Sequence, residues 1–130
     1  MGIVVDTNIL IDLLRDERYA VNKMKELEKN EDIATTDINA FELYFGAYNS
    51  RDKERNIAST RGLLKNLTLL HTGEGSMETA GRIFAQRRAE GRMIEIRDLL
   101  IASIALQSGY RLLTNNRDHF EGIKGLVIQD

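Results

Sequence analysis

The sequence predicts an α/β protein of three layers, with helices on both faces of a central parallel sheet of four to five strands. Two observations carry this. Short aliphatic and β-branched runs alternate with longer amphipathic stretches along the whole chain, the pattern of strands connected by crossover helices. The first run, Ile3-Val4-Val5, is apolar throughout, as strands buried on both faces are. No linker, repeat or low-complexity stretch interrupts the 130 residues, so one domain over residues 1–130 is expected.

Taken in order, Ile3-Val4-Val5 is the first strand. Asn8 to about Arg15 and Arg18 to about Lys29 read as helices, and Asp32 to Thr36 as a second strand. Asp37 has the chemistry of an N-cap for a helix running to about Asn49. Lys53 to Asn66 is a further helix, followed by a third strand over Leu67-Thr68-Leu69-Leu70-His71. Met77 to Ala89 is a helix that stops at Gly91. Asp98 to Ser108 is an almost wholly apolar helix ended by Gly109. Arg111 to Thr114 is a fourth strand, and Leu126-Val127-Ile128 a fifth.

Composition removes several classes of function. Apolar residues make up 42% and charged residues 29%, ordinary proportions for a soluble protein. No apolar run approaches the length of a membrane span. The opening Met1-Gly2-Ile3-Val4-Val5-Asp6 lacks a basic flank and ends on an acid, so it reads as an interior strand rather than a signal peptide. Cysteine is absent, which excludes disulfides and thiolate catalysis, and a cytoplasmic location is expected. With 18 basic and 20 acidic residues the net charge is −2, not the footprint of a nucleic-acid binder. A nucleic-acid substrate would have to be held at a local site where a metal ion reverses the field.

Ligands of open α/β sheets sit beyond the carboxyl ends of the strands, so the acids that follow strands or open helices are the candidates. Asp6 directly follows the first strand; the alternative is that it only caps the next helix. Glu42 shares a helix face with Ile38 and Phe45, on or beside the apolar stripe. A charge there needs a partner, either an arginine or a metal ion. Asp98 opens the apolar helix, where the dipole favours an anion; Ala102 and Ala105 on its face leave room for a neighbouring element. Asp118 lies past the fourth strand in a polar segment that reads as a loop, with Asn116 a rival for the same place. Carboxylates gathered at one end of a sheet repel unless a cation compensates, and all-oxygen clusters select hard ions such as Mg²⁺ or Mn²⁺.

Asp6-Thr7-Asn8-Ile9-Leu10 resembles the opening of PIN-domain ribonucleases. The resemblance continues through Thr36, Phe41-Glu42-Leu43-Tyr44-Phe45-Gly46, Asp98-Leu99-Leu100-Ile101-Ala102 and Leu113-Thr114-Asn115-Asn116-Arg117-Asp118-His119-Phe120, in order over essentially the whole chain. Within that family the chain is most similar to the compact VapC-type toxins. The resemblance implies a PIN-like fold and an Mg²⁺- or Mn²⁺-dependent endoribonuclease. It further implies a homodimer, held in check by a small antitoxin encoded beside it. It carries the metal-binding and catalytic role onto Asp6, Glu42 and Asp98, with Asp118 as the fourth acid, and a supporting role onto Thr7, Asn8, Thr114 and Asn116. On this reading the ion holds the scissile phosphate and a water, a carboxylate takes the water's proton, and the 3′-oxygen leaves.

Arg82, Arg87, Arg88, Arg92 and Arg97 form the densest basic region. They would either position an RNA backbone or form a solvated face with Glu78 and Glu90. Tyr44, Phe45 and Tyr48 would stack bases or pack in a core or dimer interface. His71 and His119 fit surface or loop roles better than catalysis. Two other folds begin with an aspartate after the first strand or carry an acidic pocket. A haloacid-dehalogenase phosphatase needs a second aspartate where Asn8 stands. A receiver domain needs an aspartate where His71-Thr72-Gly73 follows the third strand. A non-catalytic RNA- or partner-binding scaffold, or a PIN nuclease that processes RNA without being a toxin, would keep the same acids.

Overall fold

A computed structural model describes residues 2–130. Its strands are β1 (Gly2–Val5), β2 (Asp32–Thr36), β3 (Thr68–Leu70) and β4 (Arg111–Leu113), all parallel, in the order β3-β2-β1-β4. The helices are α1 (Thr7–Leu14), α2 (Arg18–Leu27), α3 (Asp37–Tyr48), α4 (Lys53–Lys65), α5 (Glu74–Ala89), α6 (Ile96–Ser108) and α7 (Arg117–Phe120). None of these helices is long and apolar enough to cross a membrane, among the described residues.

The three predicted layers follow from the alternation of side chains along β1, which is buried along its whole length. Val4 faces one side and packs with Leu112 of β4, Ile83 of α5, and Leu99, Ile101, Ala102 and Ala105 of α6. Ile3 and Val5 face the other and pack with Ile9 and Leu10 of α1, Met24 of α2 and Leu43 of α3. β1 pairs with β2 on one edge and β4 on the other. Strand order therefore reverses between β1 and β4, and a crevice opens there beyond the strand ends.

Several local expectations change. The fifth strand reduces to one bridge, Ile128 beside Leu112, made by Leu112 N–H to Val127 O at 2.9 Å and Gln129 N–H to Leu112 O at 2.7 Å. The cap of α3 is Thr36 rather than Asp37. Thr36 is extended (φ −105°, ψ 164°) and its Oγ1 accepts from Asn39 N–H at 3.2 Å. Asn39 Oδ1 accepts from Thr36 N–H at 3.2 Å, completing a reciprocal capping box. Asp37 falls in the first turn, and its carboxylate accepts from Thr72 N–H at 2.9 Å and Thr72 Oγ1 at 3.0 Å.

Helix α5 starts at Glu74, earlier than the apolar periodicity suggests. Ser76 Oγ accepts from Gly73 N–H at 2.9 Å and donates to Gly73 O at 3.1 Å, which closes the first turn. Helix α6 begins at Ile96, earlier than expected, so Asp98 lies inside its first turn rather than opening it. It ends at Gly109 in the left-handed conformation (φ 72°, ψ 25°), as a glycine stop requires. The segment around Asp118, expected as loop, contains the single turn α7.

Candidate active site

The crevice between β1 and β4 collects side chains from five elements. Asp6 leaves β1 and caps α1, accepting from Thr7 N–H at 2.8 Å. The capping alternative is therefore true, but it does not exhaust the residue. Asp6 is 1% exposed and accepts three further bonds: from Thr114 Oγ1 at 2.7 Å, Asn39 Nδ2 at 3.1 Å and Arg97 Nη2 at 2.6 Å. Thr114 is held in turn by Asn116 N–H at 3.0 Å. A buried carboxylate with four donors is fully satisfied as an anion.

Glu42 reaches the same place from α3. It is beside the buried face of that helix, which consists of Asn39, Ala40, Leu43 and Ala47. Phe45, expected on the core side, is 62% exposed, and Phe41 is 68% exposed. Their rings stack at 6.5 Å on the outside. Glu42 Oε1 accepts from Thr7 Oγ1 at 2.5 Å. Glu42, but neither Asp6 nor Asp98, also lines an open groove of about 270 Å³ between α1, α3 and α4.

Asp98 is 3% exposed and enters from the first turn of α6. Arg97, its neighbour, ties the three acids together. Its Nη1 donates to Asp98 Oδ1 at 2.7 Å, its Nε to Glu42 Oε2 at 2.8 Å, and its Nη2 to Asp6 Oδ1 at 2.6 Å and Glu42 Oε1 at 2.9 Å. Asp6, Glu42 and Asp98 thus converge, not each on its own arginine but together on one. Burial alone would lower the pKa of this guanidinium. The hydrogen bonds to Glu42 and Asp6, the charge of Asp6 and the bond to Asp98 outweigh it, so Arg97 is held protonated above its ordinary range. Three carboxylates against one guanidinium leave an excess of negative charge in a poorly solvated crevice.

The other expected residues divide. Thr7 and Thr114 belong to the network, and Asn116 joins it through its backbone. Asn8 is exposed and lies outside it. Asp118 is exposed and has no hydrogen bond or ion pair among the described residues. His119 faces the acids instead, its Nδ1 3.3 Å from Asp98 Oδ2 while the side chain stays 54% exposed. His71 Nδ1 lies 4.0 Å from Asp37 Oδ2, away from the acids. Of the basic run, Arg87 is buried and donates to Glu121 O at 2.6 Å. Arg82, Arg88 and Arg92 are exposed.

Asn39 is the residue that sequence reasoning passed over. It is fully buried; its carbonyl serves the α3 cap while its amide donates to Asp6 and, at 2.8 Å, to Thr7 Oγ1. The partners on the two sides fix which way the amide points. Its signal in the sequence was the Thr36-x-x-Asn39 spacing of a capping box, obscured by the adjacent Asp37. Asn39→Ala is expected to cost about 1–3 kcal/mol in urea unfolding, because it strands buried donors and acceptors at once. Asn39→Asp should cost more, since it sets a second carboxylate against Asp6. Unchanged midpoints in both variants would show the network to be idle.

The oxygen donors of Asp6, Glu42 and Asp98 are of the class that hard divalent ions prefer. As packed, however, the guanidinium occupies the space between them. No group of three or more acidic or histidine side chains stands arranged around a metal position among the described residues.

Comparison with known proteins agrees with this architecture. The PIN domain family model matches residues 3–126. The ribonuclease VapC2 of Haemophilus influenzae (strain ATCC 51907 / DSM 11121 / KW20 / Rd) is 32% identical over 124 residues, 95% of this chain and 92% of that protein. The tRNA(fMet)-specific endonuclease VapC of Shigella flexneri is 28% identical over 127 residues, 98% of this chain and 96% of that protein. Among solved structures, VapBC2 from Rickettsia felis bound to a DNA fragment from its promoter superposes with a TM-score of 0.92 at 28% identity. That match covers 99% of this chain and 98% of the other. With the family match spanning nearly all of the sheet and every acid of the crevice, the chain belongs to the PIN-domain family and, within it, to the VapC ribonucleases.

Proposed function

We propose that the protein, acting as a single domain, is a divalent-metal-dependent endoribonuclease that hydrolyses RNA phosphodiester bonds, and that it is the toxin of a toxin–antitoxin pair. One observation supports this above the rest: acids from β1, α3 and α6 converge on one cation at the point where strand order reverses. Asp6, Glu42 and Asp98 would hold the ion, Mg²⁺ or Mn²⁺, and Asp118 would complete the set from the outer side. The ion's contribution is Lewis acidity at a phosphoryl oxygen and activation of water.

The chain's own residues supply position and proton handling. Thr114, Asn39 and the Thr7 amide fix both oxygens of Asp6, so the carboxylate meets its charge partner without reorganisation. Thr7 does the same for Glu42, the most exposed of the three and the natural acceptor for a proton from incoming water. His119 stands between Asp98 and solvent, where a phosphate oxygen of the substrate would approach. Asn116 would support the opening by bracing Thr114 through its backbone, and Asn8, exposed beside Thr7, would be free to meet the substrate.

The relatives carry the names of ribonucleases, and the Rickettsia felis structure is a VapBC2 assembly; both support a nuclease that pairs with a small antitoxin. Exposed Phe41, Phe45 and Tyr48, spaced along one face of α3, support a homodimer. Cytoplasmic action goes with an RNA substrate.

Wild-type protein is expected to cut structured RNA in Mg²⁺ or Mn²⁺, to stop in EDTA, and to resume when either ion is returned in excess. Cleavage that ignores EDTA would overturn the metal dependence. Expression of the chain alone is expected to arrest growth. Free growth with active protein would favour an RNA-processing role over a toxin.

A further inference from the structure

Arg97 is the only side chain among the described residues that touches all three converging acids. Its fork is almost spent on them. Nε and Nη2 grip both oxygens of Glu42, Nη1 takes Asp98, and Nη2 also takes Asp6, with Thr7 Oγ1 at 3.3 Å as a weaker share. The oxygens that face one another across the crevice are thereby turned inward, onto the guanidinium. A planar, delocalised cation suits this bridging, but it offers no vacant coordination position for water or phosphate. The side chain is 25% exposed, against 1% for Asp6 and 4% for Asp98, so Arg97 is nearer to solvent than either of these acids.

We propose that Arg97 is a resident counter-ion of the active site: it keeps the three acids assembled while no divalent ion is bound, and it withdraws when one enters. Arg97 and the ion are alternative occupants of one position. This rests on the metal-dependent reading above and adds to it a built-in competitor. Without a cation the acids would repel and the crevice would open; with Arg97 seated, they stay at contact distance. Because the ion must displace a group held by several charge-assisted hydrogen bonds, its apparent affinity is its intrinsic affinity multiplied by the fraction of molecules in which the clamp is open. Once released, the guanidinium sits at the mouth of the crevice, beside the place where an RNA phosphate would lie.

The test is a Mn²⁺ titration of the full chain, followed by loss of the free-ion electron paramagnetic resonance signal. Wild type, Arg97→Gln, Arg97→Lys and Asp6→Asn are compared at one pH and ionic strength. Arg97→Gln is expected to bind Mn²⁺ about tenfold more tightly than wild type, with Arg97→Lys between them, since an ammonium cannot bridge three acids. In parallel, the Tm of Arg97→Gln should fall below wild type without metal and recover on adding Mn²⁺, whereas wild type should move little. Equal or weaker Mn²⁺ binding by Arg97→Gln, with wild type binding and Asp6→Asn not, would overturn the clamp and leave the metal site intact. If wild type and both Arg97 variants all fail to bind while folded, the metal reading itself falls, and the clamp with it. Should Arg97→Gln not fold, Arg97→Lys carries the comparison by the same criteria.

Discussion

Asp6→Asn is expected to lower RNA cleavage by a factor of about 100 or more while the protein still folds. The asparagine Oδ1 can keep accepting from Thr7, Asn39 and Arg97, which all converge on Asp6 Oδ1. Its amide then faces Thr114 Oγ1, a hydroxyl that can accept as well as donate. What disappears is the negative charge, and with it the first claim on a cation. Asp98→Asn should behave in the same way, since Asp98 is equally buried and is engaged by Arg97 and approached by His119. Asp118→Asn should cost much less, because Asp118 is exposed. Rates on labelled structured RNA, with circular dichroism to confirm folding, measure the series. Equal cleavage by wild type and Asp6→Asn would mean a contaminating nuclease and sink the enzymatic assignment. A loss from Asp118→Asn as deep as that from Asp6→Asn would move Asp118 into the essential set.

Phe120→Ala is expected to remove about 3–5 kcal/mol of stability. Phe120 is 1% exposed and is the largest of the fully buried side chains. It shares a core cluster with Leu112, Ile101 and Ile123. The other ties of the single turn α7 are polar and mostly exposed: Arg117 to Gln129 O and Asp130, His119 to Asp98, and the Arg87 bond to Glu121 O just beyond the turn. A loss of this size is a third or more of the stability of many small domains. It should lower the urea midpoint with little change in slope. Cleavage should fall too, even where the variant remains folded, because α7 carries His119 to the crevice. A change below about 1 kcal/mol would show that α7 is a surface appendage rather than an anchor.

The architecture was legible because its signals are local. Ile3-Val4-Val5 and Asp32 to Thr36 are too short and too aliphatic for helices, and the helices between strands leave little topological freedom. Where the reading went astray, the deciding contact lay elsewhere. Leu126-Val127-Ile128 has strand composition, yet its pairing ends after one bridge to Leu112 and Val127 is 56% exposed. Phe45 carries the right period for a core position; periodicity cannot tell an inward apolar stripe from one awaiting a partner.

Asp6 and Asp98 were legible by place, at a strand end and a helix start, and Glu42 by its position beside the apolar stripe of its helix. Arg97 was not. In sequence it is one arginine in a basic run, and its partners lie 91 residues away at Asp6 and 55 at Glu42. Only its place beside Asp98 sets it apart in sequence from Arg92 or Arg88, which are exposed. The capping alternative for Asp6 was also not a rival to function: the bond that caps the start of α1 and the bonds that fill the crevice use the same carboxylate.

The adjacency of β4 and β1 has a consequence for synthesis. Thr114 closes on Asp6 across 108 residues of chain, and Asp98 arrives almost as late. A polypeptide emerging from the ribosome therefore presents Asp6 and Glu42 early, as isolated acids with no assembled centre. Cleaving power should switch on only when the last strand inserts beside the first, a slow, non-local step. The crevice therefore stays incomplete until β4 has been made and has paired with β1.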